Sequence, residues 1–468
     1  MNKWLLINLL GLASLTAQAQ VSSYRSYSKL KEFQGLYQYQ NHTTLKLAAS
    51  PRDSLLYAII AESRYPLYPI GPDLFRNQSK DTIAFQRNPQ GKVIAYSVKH
   101  QQFLQLSDTL SFPIQMWYPR LGPPGQSLVY TYHPPSPNED GLMVGNLRQS
   151  GLDAALLTTM VDKIIKGIYP NIHSVLIIKD GRLVFEEYFY EYNQQRLHQL
   201  RSATKSFISA LTGIAIDQGY ITSVNAPVLP FFPEYQVANN SPAKQAITIA
   251  HLLANQSGLD CDVANEHSIG NETQMDYSAD WVKYTLDLPM SDVPGGKGMY
   301  CSGNPITVGR IIEKQTHQSL PKFATQRLFT PLGITQFDWH FQPDSSSAET
   351  YCQLSLRPRD MAKFGLLYLN KGVWQGKQLL SQDWVTASFT KHSVVQNVNY
   401  GYLWWLKYLN ANGTRFEGMA AQGNGGQRIY IWPTLHMVTV ITGGNFNQQS
   451  PADELLANYI LKAFTNQR

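Results

Sequence analysis

Ser202 and Lys205 are the two side chains of this sequence whose types and spacing best fit nucleophilic chemistry. A serine hydroxyl is a weak nucleophile until a neighbouring base accepts its proton. On a helix, a lysine three residues after a serine projects from the same face, with the two Cβ atoms about 5–6 Å apart. A lysine held there away from water can keep its amine neutral and act as that base. The pair therefore predicts a serine nucleophile with a lysine as its general base.

The residues that follow the pair predict the helix that would position it. Residues 203–218 place apolar side chains at the spacing of one buried helical stripe, and Gly219 ends the pattern. The stripe consists of Phe207, Ile208, Leu211, Ile214 and Ala215. In the first turn of such a helix, the N–H groups have no intrahelical acceptor and can stabilise developing negative charge. The predicted position of Ser202 therefore suits acyl transfer.

The four-residue pattern alone is not specific. Five further copies of Ser-x-x-Lys begin at Ser26, Ser28, Ser241, Ser319 and Ser388. A helix-capping serine followed by a solvated lysine is the more ordinary interpretation of any single copy. The Ser202 copy differs because it opens a long apolar helix and follows a predicted β-hairpin whose turn lies at 179–181. The rest of the sequence must decide between the two interpretations.

The sequence divides into three regions that differ in their secondary-structure patterns. Residues 20–120 carry short strand-like runs between turn signals and predict a small all-β domain, either a barrel or a sandwich. Residues 121–141, rich in proline and glycine, predict a semi-rigid linker. Residues 142–468 predict an α/β (α+β) domain in which helices flank an antiparallel sheet built from strands at both ends of the region. Helices are also predicted at 152–167, 246–254, 305–316, 359–370 and 452–464.

The composition describes a globular chain and disfavours nucleic acid as a partner. Of the 468 residues, 43% are hydrophobic and 15% are charged. The net charge of +6 is spread along the sequence, whereas nucleic-acid-binding proteins concentrate positive charge in a patch or an arm. The sequence contains no phosphate loop, dinucleotide fingerprint or His/Cys/Asp cluster at metal spacing, so neither a cofactor nor a metal is expected. Nothing in the sequence indicates the oligomeric state.

Residues 1–19 predict a signal peptide. Lys3 precedes a short apolar run over 5–15, and Ala17-Gln18-Ala19 fits a signal-peptidase cleavage site. No later stretch is long enough to span a bilayer. We therefore expect an exported protein, periplasmic or secreted, without a transmembrane segment. One disulfide with a free thiol and three free thiols are both compatible with the three cysteines, which are Cys261, Cys301 and Cys352.

Three motifs, in this order, resemble those of the serine β-lactamase and penicillin-binding-protein superfamily. Ser202-Ala203-Thr204-Lys205 with its helix resembles the first motif, and Tyr300 within 298–304 resembles the tyrosine motif. Gly423-Asn424-Gly425-Gly426-Gln427 lies where the Lys-Thr-Gly or His-x-Gly motif falls. The resemblance covers about residues 145–465 and is strongest to class C β-lactamase-related serine hydrolases, including esterases and aminohexanoate-oligomer hydrolases. It implies an antiparallel sheet flanked by helices, with a mostly helical subdomain.

The resemblance also implies catalytic roles for three side chains. Ser202 would attack a carbonyl and form an acyl-enzyme. Lys205 and Tyr300 would share the work of general acid and base, taking the serine proton, passing a proton to the leaving group and activating water. These three side chains are expected to meet in the cleft between the sheet domain and the helical subdomain.

The resemblance places the oxyanion and substrate-binding groups in all three motifs. The backbone N–H groups of Ser202 and Gly426 would form the oxyanion hole. The glycines of the third motif would let an edge strand approach the reacting carbonyl closely. The predicted oxyanion and substrate-binding residues are Gly425, Gly426, Ser302 and Gln427.

Two positions depart from the pattern of the superfamily. Ser302 stands where the class C tyrosine motif has asparagine, and Gly423 stands where β-lactamases carry the lysine that attracts a substrate carboxylate. The loss of that cation argues against efficient recognition of penicillins, or of peptides by their terminal carboxylate. The favoured function is therefore hydrolysis of an ester or amide bond. Two alternatives stay open, namely a penicillin-binding-protein-like D-amino-acid peptidase acting on cell-wall peptides and a catalytically silent protein that binds wall peptides or glycans.

Overall fold

The computed structural model describes residues 26–38, 44–60, 62–122, 128–265, 267–341 and 353–465. The described chain divides into two compact units, which we call the barrel unit (within 26–121) and the α/β unit (within 122–465). The predicted signal peptide at 1–19 lies outside the described residues. Within the described ranges, no helix combines the length and the apolar character needed to cross a bilayer.

The barrel unit is a closed barrel of eight antiparallel strands. The strands are Gly35–Gln38 (β1), Thr44–Ala49 (β2), Leu56–Ile60 (β3), Ser63–Gly71 (β4), Leu74–Arg76 (β5), Thr82–Arg87 (β6), Val93–Val98 (β7) and Gln101–Ser107 (β8). Successive strands pair with each other, and the barrel closes where Leu36 of β1 pairs with Ser107 of β8. A short helix, Tyr27–Leu30 (α1), precedes it. The expected all-β fold at this end of the chain is confirmed, in the form of a barrel.

Aromatic side chains form the core of the barrel unit. The cluster contains Phe33, Tyr37, Phe75, Phe85, Tyr96 and Phe103. The ring centroids of Phe33 and Phe85 are 4.6 Å apart, and those of Tyr96 and Phe103 are also 4.6 Å apart. Rings at these separations stabilise the core through apolar burial and through edge and stacking contacts.

The α/β unit is built on a sheet that has nine strands in the described part of the chain. Its strands are Met143–Val144 (β9), Ile172–Lys179 (β10), Arg182–Tyr188 (β11), Ser393–Val395 (β17), Val398–Tyr400 (β18), Trp405–Ala411 (β19), Thr414–Gly423 (β20), Gln427–Trp432 (β21) and Met437–Gly443 (β22). The order across the sheet is β17-β18-β19-β20-β21-β22-β10-β11-β9. Strand β10 pairs antiparallel with β22, so strands from opposite ends of the unit lie side by side in one sheet, as the sequence predicts.

Two smaller sheets complete the strands of this unit. One consists of His198–Gln199 (β12), Phe337–His340 (β13) and Gln353–Leu356 (β14), in the order β12-β14-β13. The other consists of Val373–Trp374 (β15) and Lys377–Gln378 (β16). The placement of the third motif on an edge strand is wrong, because β20 and β21, which flank it, lie inside the nine-stranded sheet. Residues 424–426 instead form the turn between them.

Helices pack against the sheet and are the regular elements of the described residues between β12 and β13. They are Ala154–Ile165 (α2), Thr204–Asp217 (α3), Pro242–Gln245 (α4), Ile249–Leu253 (α5), Glu272–Asp276 (α6), Trp281–Asp287 (α7), Gly303–Thr316 (α8), Leu320–Ala324 (α9), Pro358–Leu369 (α10), Gln382–Phe389 (α11), Ala452–Leu455 (α12) and Leu461–Thr465 (α13). Between β12 and β13, the described residues form no further strand. The expected α/β (α+β) fold class is confirmed.

Helix α3 is buried around most of its circumference, which fixes the residues at its start. Phe207 stacks on Phe364 of α10 with 3.7 Å between ring centroids. On another face, a Cβ added at Gly213 would lie 2.3 Å from the Trp384 ring, so α3 and α11 are in close contact. The hydroxyl of Ser206 donates to the Leu403 carbonyl oxygen at 2.8 Å. The predicted single buried stripe is therefore too narrow, because polar residues such as Ser209 and Thr212 are buried as well. Packing on several faces holds the first turn of the helix in place.

Candidate active site

The first motif lies where a 3-10 turn, Arg201–Ala203, runs into α3. Lys205 Nζ donates a hydrogen bond to Ser202 Oγ at 2.9 Å. Ser202 is half-buried, whereas Lys205 is only 2% exposed. The backbone φ angle of Arg201 is +51°, in the left-handed region that non-glycine residues rarely adopt. Such a conformation persists only where the surrounding structure enforces it, so the turn that presents Ser202 is a constrained one.

The other copies of Ser-x-x-Lys have different surroundings, although all six lie in the described residues. Ser319 is exposed and makes no capping hydrogen bond to the helix it precedes. Ser241 caps α4 by accepting from the Lys244 backbone N–H. The Lys244 ammonium is held by three carbonyl oxygens, those of Ala238, Leu286 and Leu288. Burial at the start of a central helix, and not spacing alone, therefore distinguishes the Ser202 pair.

Tyr300 lies beside the buried lysine. Lys205 Nζ is 5.1 Å from the centroid of the Tyr300 ring, which is itself 8% exposed. The rings of Tyr400 and Trp405 lie 6.5 Å and 5.4 Å from Tyr300 and hold it from two directions. Burial raises the pKa of the Tyr400 phenol well above its usual value, and the neighbouring Tyr300 raises it further. The structure thus brings the three predicted catalytic side chains together.

A disulfide fastens the residue that follows Tyr300. Cys301 is bonded to Cys261, which decides between the alternatives left open for these two cysteines. Cys352 lies outside the described residues. The Tyr300 carbonyl oxygen also accepts a hydrogen bond from the Val263 N–H at 2.9 Å. The segment that begins at Cys261 is therefore fixed against the tyrosine motif by one covalent bond and one backbone bond.

The third motif forms a tight turn whose shape depends on glycine. Gly425 and Gly426 have φ angles of +89° and +100°. A Cβ added at Gly426 would lie 2.2 Å from Ser450 Oγ, and the Gly426 N–H donates to the Gly423 carbonyl oxygen at 3.3 Å. A Cβ added at Gly423 would lie 2.1 Å from the Leu200 carbonyl oxygen. No lysine side chain could therefore be accommodated at 423 without moving the backbone next to Ser202.

Gln427 holds this turn to the neighbouring strand. Its Nε2 donates to the carbonyl oxygens of Gly443 and Asn424 at 2.7 Å and 3.1 Å, and its Oε1 accepts from the Gly443 N–H at 3.2 Å. The side chain is 1% exposed. Both ends of the amide are thus engaged by backbone groups, a geometry that fits a positioning role for Gln427.

Sequence reasoning missed two residues next to the tyrosine motif. Asn255 Oδ1 accepts from the Cys301 N–H at 3.3 Å and from Asn304 Nδ2 at 3.1 Å. Glu272 Oε2 accepts from Ser302 Oγ at 2.7 Å. Neither belongs to a motif, and both approach the site only through the tertiary structure. In the described part of the chain, no three His, Cys, Asp or Glu side chains are grouped so that they could hold a metal ion.

Curated proteins and solved structures resemble parts of this chain. Protein flp of Staphylococcus aureus strain N315 is 28% identical over 192 residues, which cover 37% of this chain and 37% of that protein. The chain therefore spans little more than a third of the length of the curated relatives it matches. A family VIII carboxylesterase has a TM-score of 0.53 at 14% identity, with 68% of this chain and 97% of that chain covered. The octameric penicillin-binding protein homologue of Pyrococcus abyssi has a TM-score of 0.52 at 19% identity, with 67% and 77% covered.

The family model described as Beta-lactamase matches residues 159–464, well over half of the chain. The matched segment contains all three motifs and most of the α/β unit. At identities below a fifth, the likeness to the solved structures concerns the fold, which agrees with the helices and the sheet described above, antiparallel except for the short parallel pair of β9 and β11. The resemblance inferred from the sequence is confirmed: the chain belongs to the beta-lactamase family of serine hydrolases.

Proposed function

We propose that this protein hydrolyses an ester or amide bond through an acyl-enzyme on Ser202, with Lys205 and Tyr300 moving the protons. One observation carries the proposal. A lysine that is 2% exposed lies 2.9 Å from the hydroxyl of a half-buried serine. Because burying an amine is costly, its placement against a serine hydroxyl favours a chemical role over a structural one.

The proposed reaction has two balanced steps. In the first, Ser202 Oγ bonds to the substrate carbonyl carbon while its proton passes to the Lys205 and Tyr300 pair. The bond from that carbon to the leaving oxygen or nitrogen then breaks, and the pair returns the proton to the leaving group. In the second, water attacks the acyl carbon, the pair accepts its proton, and Ser202 leaves with that proton. Ser202 lies in the first turn before α3, where an N–H without an intrahelical acceptor could stabilise the oxyanion.

The third motif supports an ester or amide substrate over a penicillin. A cationic side chain at 423 would be the natural partner of a substrate carboxylate. The 2.1 Å approach of the Leu200 carbonyl oxygen to a Cβ at that position leaves room only for glycine. Small-molecule esters and amides do not need that partner, whereas penicillins and wall peptides carry the carboxylate it would bind.

We also propose that the protein works outside the cytoplasm. The predicted signal peptide motivates this, and the disulfide between Cys261 and Cys301 supports it, because structural disulfides persist mainly in oxidising compartments. Fractionation of the source cells, with N-terminal sequencing of the mature protein, tests the proposal. A mature chain that begins near residue 20 in the exported fraction is expected, and an unprocessed cytoplasmic chain would contradict it.

Turnover of p-nitrophenyl butyrate by the wild-type protein and by Ser202→Ala tests the proposed reaction. We expect Ser202→Ala to lower kcat at least about 10³-fold, because the acyl-enzyme can no longer form. Ser319→Ala is the matched control, since it makes the same change in another Ser-x-x-Lys copy, and its turnover should equal that of the wild type. Turnover retained by folded Ser202→Ala would overturn the assignment. Lasting acylation by benzylpenicillin would instead favour the wall-peptidase alternative.

A further inference from the structure

Asn255 holds the backbone on both sides of Tyr300. Its carbonyl oxygen accepts a hydrogen bond from the Met299 N–H at 2.9 Å, and its side-chain Oδ1 accepts from the Cys301 N–H at 3.3 Å. The same Oδ1 accepts from Asn304 Nδ2 at 3.1 Å, which helps to fix the direction of the amide. A single residue therefore fixes the chain immediately before and immediately after the proposed catalytic phenol.

The burial and the backbone conformation of Asn255 fit this task. The residue is 1% exposed, so water cannot easily replace its side chain as the acceptor of these hydrogen bonds. A buried N–H that loses its acceptor is strongly unfavourable. The backbone φ angle is +55°, in the left-handed region that asparagine adopts more readily than most residues. Asparagine thus combines the required backbone conformation with the required acceptor.

The segment that carries this asparagine is also hydrogen-bonded to the helix that follows the nucleophile. Helix α5 ends at Leu253, whose carbonyl oxygen accepts from the Leu403 N–H at 2.9 Å. The Leu403 carbonyl oxygen accepts from the Ser206 hydroxyl of α3 at 2.8 Å. Ser206 directly follows Lys205. A path of hydrogen bonds and short covalent steps therefore runs from the lysine to the backbone of Tyr300.

The ring contacts of Tyr300 restrain it less specifically. Tyr400 and Trp405 pack against its ring, with centroids 6.5 Å and 5.4 Å away. Apolar contacts of this kind are largely non-directional, whereas hydrogen bonds require a defined distance and angle. The two bonds to Asn255 therefore define the backbone position from which the phenol projects.

We infer that Asn255 is a positioning residue that holds the Tyr300 phenol where it can exchange protons with Ser202 and Lys205. The inference rests on the proposed function, in which Tyr300 shares the proton transfers. Asn255 itself would neither touch the substrate nor exchange a proton. Because a shift of about 1 Å in a reacting group can lower a rate about 10²-fold, loss of its side chain should lower kcat and leave KM nearly unchanged.

A double-mutant cycle with Tyr300→Phe tests the inference, with turnover of p-nitrophenyl butyrate by the full chain as the readout. Asn255→Gly removes the amide, while glycine tolerates the left-handed backbone and so keeps the bond to Met299. We expect Asn255→Gly alone to lower kcat about 10- to 100-fold, with KM changed less than about twofold. In the Tyr300→Phe background, the same change should lower kcat less than about twofold, because no phenol is left to position. If Tyr300→Phe turns over too slowly, the rate of fluorophosphonate labelling of Ser202 replaces kcat in all four proteins.

Two further variants separate positioning from general stability. Asn255→Asp keeps an acceptor for the Cys301 N–H, and its kcat should lie within about threefold of the wild type. Thr439→Val removes a different buried hydrogen bond, the one that Thr439 accepts from Trp432 Nε1 at 3.1 Å between β21 and β22. This variant should lower the free energy of unfolding and leave kcat unchanged.

The outcomes distinguish this inference from the proposed function. An unchanged kcat in Asn255→Gly, or an equal loss with and without the Tyr300 phenol, would overturn the positioning role and leave Ser202 as the nucleophile. If Asn255→Gly does not fold, the cycle is run with Asn255→Ser, which shortens the side chain, and the same comparison decides. A fully active Tyr300→Phe, or turnover that survives in folded Ser202→Ala, would instead count against the proposed function.

Discussion

The two units of the molecule bury different kinds of side chain. Among the described residues of the barrel unit, the buried polar side chains other than tyrosine are Ser50 and Ser63. The α/β unit buries ionisable side chains, among them Lys205, Lys244, Arg359, Asp360 and Lys363. The apolar core of the barrel avoids the free-energy cost of burying a charge, which is unfavourable unless the charge is paired. The burial of each of these ionisable side chains in the α/β unit therefore requires an explanation.

The partners of these charges divide them into two groups. Arg359 bonds to the carboxylates of Glu186 and Asp140, and Lys363 bonds to Asp360, so these residues join segments of the fold. Lys205 instead donates to the hydroxyl of Ser202 beside Tyr300. For a buried basic side chain, we interpret carboxylate or carbonyl partners as evidence of a structural role. A serine hydroxyl as partner indicates a catalytic role. Substitutions can separate the two groups.

Lys205→Met should produce the largest effect, on activity alone. Removing the buried amine is expected to lower ester turnover at least about 10³-fold, because the proposed base is lost. The free energy of unfolding should stay the same or rise, since an apolar side chain of similar length replaces a buried polar one. Lys244→Met is the matched control. It should lower the free energy of unfolding and leave ester turnover unchanged, because it removes the donor to three carbonyl oxygens. Steady-state kinetics and urea unfolding check both variants. If the two variants changed turnover and stability equally, the distinction between a catalytic Lys205 and a structural Lys244 would be wrong.

Arg359→Met should reduce stability without changing the chemistry. Burial alone would lower the pKa of the Arg359 guanidinium, but the Glu186 and Asp140 carboxylates outweigh it and hold the pKa above its usual value. Without the guanidinium, Glu186, whose side chain is 2% exposed, would be left as a buried charge. We expect a loss of about 3–5 kcal/mol in the free energy of unfolding, measured by urea titration of the full chain. Turnover per folded molecule should be unchanged, and a selective loss of turnover would contradict the architectural role.

Phe85→Ala should weaken the barrel unit and leave hydrolysis intact. The ring packs against Phe33, Phe75 and Tyr96 in the barrel core, so its truncation is expected to cost about 3–5 kcal/mol. Thermal unfolding of the full chain measures the loss, with Ile94→Ala as a control because Ile94 is exposed. Ester turnover below the transition should equal that of the wild type. A proportional fall in turnover would mean that the barrel contributes to the reaction.

Removal of the disulfide should have the smallest of these effects. Cys261→Ala combined with Cys301→Ala opens a link across 40 residues and is expected to lower the free energy of unfolding by about 2–4 kcal/mol. Reductant should lower the melting temperature of the wild type and leave the double variant unaffected. A wild type insensitive to reductant after confirmed reduction would show that the link does not stabilise the fold.

Local patterns were sufficient to predict the central helix and the fold class. The predicted helix at 203–218 is observed as Thr204–Asp217, and that at 305–316 as Gly303–Thr316, because both carry apolar residues at helical spacing. The predicted helix at 452–464 is instead interrupted by a π-helical segment, Leu456–Ile460. The choice between barrel and sandwich could not be made from the sequence, since it depends on the pairing of Leu36 with Ser107 far along the chain.

The candidate site was only partly accessible to sequence reasoning. The motif around Ser202 and Lys205 is local, so its geometry follows from one helix. The position of β20 and β21 inside the sheet depends on β22 and β10 joining beside them, which no local pattern reveals. Glu272 contacts Ser302, 30 positions further along the chain, only through the tertiary structure, in a region that the Cys261–Cys301 disulfide also links.

The central claim is that Ser202 is the nucleophile, and covalent labelling tests it most directly. The full chain is incubated with a fluorophosphonate, its intact mass is measured, and the modified peptide is sequenced, with folded Ser202→Ala and Ser319→Ala treated in parallel. We expect a single adduct on Ser202 in the wild type and in Ser319→Ala, and none in Ser202→Ala. An adduct that persists in Ser202→Ala, or a folded wild type that is never labelled, would contradict it.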